Sequence, residues 1–344
     1  MKGRAGEIAT LVRIVEATAP ARIALVGAGG SGKSMLACAL GHRLARRFSR
    51  RTYWFRVGAW DFRTLAEMLA LRFGTSRERA ETVPALRAFL DAGESLVVLD
   101  NHEDDRAVAR LLDELGGTPT SFVITARRCL LAGVIVFPVT APLVLSGRHA
   151  FPRVARLTRR LRWNPLALDV ADAIVRSRAA TVTELAAFLD AHGVERTRVI
   201  EHEDDLPEVA LLVLWAWRRL SAASRRMWGV LAHIGGDHVD AASLAELARV
   251  RSRAGEAIAP LLRWHLVQEP MRGRYALHAV VRHAVMRKTT FDPARALEHY
   301  VSLLERSPSR LVWEQTHLFA AMDHASRAGD LSASLRIDEL LRSL

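Results

Sequence analysis

The stretch Gly27-Ala28-Gly29-Gly30-Ser31-Gly32-Lys33-Ser34 directly follows the apolar run Ile23-Ala24-Leu25-Val26. It has the form GxxxxGK[ST], a phosphate-binding loop joining a strand to a helix. Its glycines let backbone N–H groups turn inward around phosphate oxygens. Lys33 is one of only three lysines, with Lys2 and Lys288, in a chain that otherwise uses arginine. A lysine kept here indicates that a compact ammonium is needed, not a planar fork. Lys33 would reach the β- and γ-phosphates of ATP, and the Ser34 hydroxyl would hold Mg²⁺. Gly29, Gly30, Ser31, Gly32, Lys33, Ser34 and Met35, where the helix begins, are the candidate nucleotide contacts. A glycine-rich turn with no ligand is the plain alternative.

Around this loop, strands and helices alternate. A helix is expected over 7–17, then strands at 23–26, 52–57, 96–99, 122–125 and 135–139. Helices are expected over 35–47, 62–73, 84–92 and 108–115. Apolar strands separated by amphipathic helices mean a parallel sheet covered on both faces. The fold class is an α/β P-loop domain with phosphate at the carboxyl edge of the sheet. After about residue 150 the pattern turns helical: 151–161, 165–177, 182–191, 208–219, 221–233, 240–248 and 254–263. A small hairpin follows, 266–269 and 275–277 around Arg272-Gly273-Arg274. Three helices followed by a hairpin are a winged-helix pattern. Helices near 293–306, 309–328 and 331–343 close the chain. The expected domains are a nucleotide-binding domain over 1–150, a small helical domain over 151–206, a winged-helix domain over 207–290 and a helical segment over 291–344.

Leu96-Val97-Val98-Leu99-Asp100 is an apolar strand ending in an acid, at the right distance after the loop to deliver a carboxylate to the Mg²⁺ shell. Asn101 stands where a hydrolytic ATPase often has a second acid, and Glu103 is the nearest replacement base. Slow hydrolysis suits a switch better than a motor. Phe122-Val123-Ile124-Thr125-Ala126-Arg127 places a polar residue and an arginine at the next strand end. Arg127 is either a γ-phosphate sensor or a surface arginine in a loop.

The composition limits the rest. The 344 residues are 50% hydrophobic and carry net charge +12, so the chain is globular and large enough for two to four domains. Arg153, Arg156, Arg159, Arg160 and Arg162 recur at helical spacing. They form either a solvated face or a patch for nucleic acid or another acidic partner. Cys38 and Cys129 lack metal or redox spacing and read as core thiols in a reducing cytoplasm. The start shows no signal peptide. The apolar stretch 129–145 is short for a membrane span and contains Pro138 and Pro142, so no membrane partner is expected.

Taken in order, these pieces resemble the NB-ARC-type STAND NTPases, in particular the bacterial, AP-ATPase-like regulators with tetratricopeptide-like sensors. Lys2-Gly3-Arg4-Ala5-Gly6-Glu7 is similar to that family's entry motif, and Gly27–Ser34 and Leu96–Asn101 to its two Walker motifs. Thr125-Ala126-Arg127 is similar to its sensor arginine, Trp163-Asn164-Pro165-Leu166-Ala167-Leu168 to its GLPLAL motif, and Tyr275-Ala276-Leu277-His278 to its winged-helix MHD region. The stretch from Glu314 to Asp330 looks like the first part of the helical sensor. The resemblance implies that Gly3 and Arg4 line the adenine site, that Pro165 packs near the base and that His278 contacts the ADP β-phosphate. Without it, His278 reads as an ordinary histidine beside a hairpin. Ala5 replaces an acid, Ala279 replaces the aspartate after the histidine, and Asn164 replaces a glycine, which is harmless if its backbone angles are ordinary. The implied activity is an ATP/ADP switch, closed with ADP and self-associating with ATP, answering an inducer and acting through an effector that the sequence does not name. The competing reading is a nucleotide-regulated DNA-binding regulator.

Overall fold

Five apolar segments of the first 140 residues form one parallel sheet. The computed structural model describes residues 4–58, 60–75, 82–140, 152–193, 206–234, 238–250 and 253–328, with positions 330, 332, 335–337, 339 and 340. It divides into two compact units, one among the described residues up to 140 and the other from 152 onward.

In the first unit, α1 (Ala5–Thr18) leads into β1 (Arg22–Val26), α2 (Lys33–Leu44), β2 (Thr52–Gly58), α3 (Phe62–Phe73), α4 (Thr82–Asp91), β3 (Ser95–His102), α5 (Asp105–Glu114), β4 (Thr120–Ala126) and β5 (Ile135–Pro138). The sheet order is β2-β3-β4-β1-β5, with every neighbouring pair parallel. All of β4 is buried, and β3 is buried at all but one position. A central strand that is apolar on both faces needs helices on both. Leu11 and Val15 of α1, Leu36 and Leu40 of α2, Ile23 and Leu25 of β1, and Val98 of β3 form one core cluster. Each such side chain stabilises by about 1.5–3 kcal/mol when fully buried. Polar side chains start the helices: Asp61 accepts from Thr64 N (2.7 Å), and Asp104 accepts from Arg106 N (2.9 Å). The chain order puts β1 between β4 and β5, so the loop after β1 opens at the sheet's carboxyl edge, where strand order reverses.

In the second unit, a 3₁₀ segment (Pro152–Leu157) precedes α6 (Pro165–Arg176), α7 (Val182–His192), α8 (Pro207–Arg219), α9 (Ala222–His233), β6 (Val239–Asp240), α10 (Ala241–Leu247), α11 (Ala254–Arg263), β7 (Gln268–Met271), β8 (Arg274–Ala276), α12 (Ala279–Met286), α13 (Pro293–Arg306), a 3₁₀ turn (Pro308–Arg310) and α14 (Leu311–Ala328). The strands form an antiparallel sheet ordered β6-β8-β7. Trp215 of α8, Trp228 of α9 and Tyr300 of α13 are the largest fully buried side chains. No helix among the described residues is long and apolar enough to cross a membrane.

Three sequence expectations need correction. The segment 151–161 is no α-helix: Pro152–Leu157 is 3₁₀ with a non-helical Val154, and Arg162 and Trp163 are left-handed. The five arginines therefore make no α-helical stripe. Arg160 instead pairs with Asp190 (2.7 Å). The first hairpin strand is Gln268–Met271, exposed along its length. The apolar Leu266 and Val267, which suggested an earlier start, are buried before it, and Pro270 suits an edge strand. Cys38 and Cys129 are half-buried free thiols, not core residues. The expected helix over 331–343 falls largely outside the described residues.

Candidate nucleotide site

The phosphate loop is built where β1 ends. Gly27 N donates to Ala126 O (3.3 Å), and a Cβ on Gly27 would lie 2.2 Å from Val139 O. No side chain fits between those strand ends. Gly30 and Gly32 have φ of 73° and 91°, a region that only glycine enters at little cost. Gly32 is the N-cap of α2, so the helix's first N–H groups and its dipole face the loop.

Lys33 folds over the loop, its Nζ donating to Gly27 O (2.7 Å) and Ala28 O (2.9 Å). Burial, aided by the charge of Arg127 and opposed by Asp100, lowers its ammonium to about 8. Ser34 Oγ donates to Asp100 Oδ1 (2.7 Å), and so does Thr125 Oγ1 (2.6 Å). The Ser31 hydroxyl is buried within the loop and has no hydrogen-bond partner among the described residues. A buried polar atom in a cradle that excludes Cβ atoms fits a phosphate oxygen. Ser34 and Asp100 supply the oxygen donors that Mg²⁺ prefers, beside phosphate. When bound, the ion would neutralise phosphate charge.

Asn101 breaks the strand. Its φ is 60°, the β3–β4 register shifts between Leu99 and His102, and its N–H donates to Thr125 Oγ1 (2.9 Å). Asn101 Nδ2 donates to Glu103 Oε1 (2.8 Å), tying down the candidate base. Thr125 therefore organises the site by accepting from Asn101 and donating to Asp100. The sequence signal was a hydroxyl directly after the apolar run Phe122-Val123-Ile124.

Arg4 is 4% exposed, with its guanidinium on Ser31 O (2.5 Å) and Thr140 O (2.8 Å) and beside Glu7 (3.3 Å). It braces the loop against the end of β5. Gly3 lies outside the described residues. Met35, in the first turn of α2, is 61% exposed.

Arg127 directly follows β4 in the first unit, and the last two candidates, Pro165 and His278, belong to the second. Pro165 is the first residue of α6, capped by Asn164, whose Oδ1 accepts from Ala167 N (3.1 Å). Asn164 has ordinary angles (φ −67°, ψ 119°); the left-handed positions are the two before it. His278 is the N-cap of α12, its Nδ1 accepting from Val280 N (3.4 Å). Among the described residues no cluster of three or more His, Cys, Asp or Glu could hold a metal by itself.

The first unit thus has the fold and the loop of a P-loop nucleotide-binding domain. No protein-family model and no curated protein matches the sequence. Among solved structures, the chain is similar in fold to a signal transduction ATPase with numerous domains (STAND) from Pyrococcus horikoshii that carries a tetratricopeptide repeat sensor. The TM-score is 0.60 at 17% identity, over 99% of this chain and 50% of that one. The chain therefore spans about half the length of that protein. The Aeropyrum pernix ORC1 protein, solved with DNA, matches at 18% identity over 83% of this chain and 93% of that chain (TM-score 0.38). Cdc6p from Pyrobaculum aerophilum matches at 11% identity over 84% and 95% (TM-score 0.38).

Proposed function

We propose that the protein is an ATP/ADP-dependent signalling switch of the STAND class, closed with ADP and opening to self-associate when ATP replaces it. The observation that carries this reading is the convergence of Lys33, Ser34, Asp100 and Thr125 around one phosphate cradle. Each nucleotide would stabilise the form it binds better, so exchange shifts the population. Arg127, whose charge acts on Lys33, would sense the γ-phosphate. Glu103, held by Asn101, suits slow hydrolysis.

Several finer assignments belong to the same proposal. The order helix, strand, two helices, hairpin over α9–β8 supports a winged-helix module, consistent with a division at 207–290. Pro165 and His278 carry over from the NB-ARC resemblance as nucleotide contacts, and α14 as the beginning of a tetratricopeptide-like sensor. The inducer and the effector are partners still to be found, and a cytoplasmic setting suits them.

Mass spectrometry should find ADP released from the purified protein. Lys33→Ala should stay folded yet bind neither ATP nor ADP in calorimetry. Equal affinities in variant and parent would remove the reading. The net charge of +12 favours the rival, a DNA-binding regulator. Against it, the exposed positions of α11 include Gly255, Glu256 and Arg263, which make no basic row for a groove. An absence of duplex binding at low salt would end that alternative.

A further inference from the structure

The second unit contains a cleft of about 840 Å³ lined by the start of α9, the end of α10 and one face of α13. Five arginines line it, Arg226, Arg249, Arg253, Arg295 and Arg306, against two carboxylates, Glu246 and Glu298. None of the five forms an ion pair with a carboxylate among the described residues. Three are instead oriented by backbone carbonyls: Arg226 Nε donates to Ala248 O (3.2 Å), Arg295 to Glu246 O (3.3 Å) and Arg306 Nε to Ser302 O (3.0 Å). A guanidinium has five donors, so most of each fork remains for an anion. Arg249 stands at the end of α10 with φ 53°, where glycine is the unstrained residue.

At the wall of the cleft lies His299. Its side chain is 8% exposed, with Nδ1 4.0 Å from Glu246 Oε2, and its Nε2 is buried without a hydrogen-bond partner among the described residues. Burial lowers its pKa, so the ring is neutral at pH 7. A neutral ring adds no charge to the cleft, so its recognition of an anion falls to the arginines. We propose that this cleft binds a small phosphorylated molecule, with the arginines on its phosphate. Its volume lies within the range of about 300–1,000 Å³ usual for small-ligand sites. Two carboxylates on its wall disfavour a continuous phosphate chain such as a nucleic acid.

The site is separate from the phosphate loop and does not depend on the switch reading. Ribose 5-phosphate serves as the probe, titrated by calorimetry into the parent chain and into Lys33→Ala. Saturable one-to-one binding is expected in both. The combined substitution Arg249→Ala and Arg295→Ala should weaken it by about tenfold or more. Arg249 is exposed, so Arg249→Ala alone, expected to weaken binding in the same direction, guards against a folding failure. Three results would overturn the proposal: no binding of ribose 5-phosphate, binding lost in Lys33→Ala but kept in the arginine variants, or a short DNA duplex binding more tightly and losing affinity in those same variants.

Discussion

Lys33 shows how much one residue's surroundings decide. Its ammonium sits among carbonyls and beside Arg127, and burial lowers its pKa to about 8. A phosphate arriving at the loop would raise that value, because an anion favours the charged form. Binding then takes up a proton in the window between the lowered and the raised pKa. ADP affinity should accordingly be level below pH 8 and fall by about tenfold per pH unit above it, until the bound-state value is reached. Lys33→Arg keeps its charge throughout and should remove the slope, whatever it does to affinity. Calorimetry between about pH 7 and pH 9.5 decides this, and a level profile in the parent would deny Lys33 its role on phosphate. Arg127 makes a sharper distinction. Only ATP has the γ-phosphate, so Arg127→Ala should weaken ATP by about tenfold and ADP little. Equal losses would make Arg127 a general support of the loop.

At the scale of elements, short-range chemistry made much of the site legible and long-range pairing hid the rest. The strand–loop–helix around Lys33 is local, so glycines and apolar runs disclose it. Asp100 is legible as the end of an apolar strand. The roles of Thr125 and Arg4 depend on partners far along the chain, Asp100 for one and Ser31 and Thr140 for the other. The two-residue β6 is too short to show a period. The arginine spacing in 151–161 imitates a helix, yet the backbone turns at Val154 and goes left-handed at Arg162 and Trp163. His278 adds a test at a helix end. As N-cap of α12 it holds Val280 N, a role that asparagine also fills. His278→Ala should cost about 1 kcal/mol of stability. His278→Asn should keep the stability and, if the imidazole also meets ADP, loosen ADP. Unfolding midpoints and ADP off-rates of both variants separate the two roles, and an unchanged off-rate in His278→Asn leaves only the cap.

At the scale of the whole molecule, the second unit is fastened by charge as well as by its tryptophans. Glu314 of α14 is fully buried. It accepts two hydrogen bonds from Arg274 of β8 (3.0 and 2.9 Å) and one from Arg310 (2.9 Å). Arg310 also reaches Asp240 of β6 (2.9 Å), and Tyr300 of α13 stacks on His317 beside them. The cluster thus joins the small sheet to the last two long helices. Burial pushes the Asp240 carboxyl up, but hydrogen bonds with Ser243 and the charges of Arg310 and Arg274 hold it below 3.8. Its contribution is therefore complete above that value and lost only as pH falls through the lower, folded-state pKa. Removing one member of a buried network leaves its partners charged and unpaired. Glu314→Ala should destabilise this unit by about 3–5 kcal/mol. Replacing both ends with apolar side chains, Glu314→Leu with Arg274→Met, should recover most of that loss, because Arg310 keeps Asp240 and no lone charge remains. Six of the eight tryptophans, Trp163, Trp215, Trp217, Trp228, Trp264 and Trp313, lie in this unit, so denaturant unfolding followed by fluorescence reports on it. If the double variant is no more stable than Glu314→Ala, the loss comes from packing around α14 and not from stranded charge.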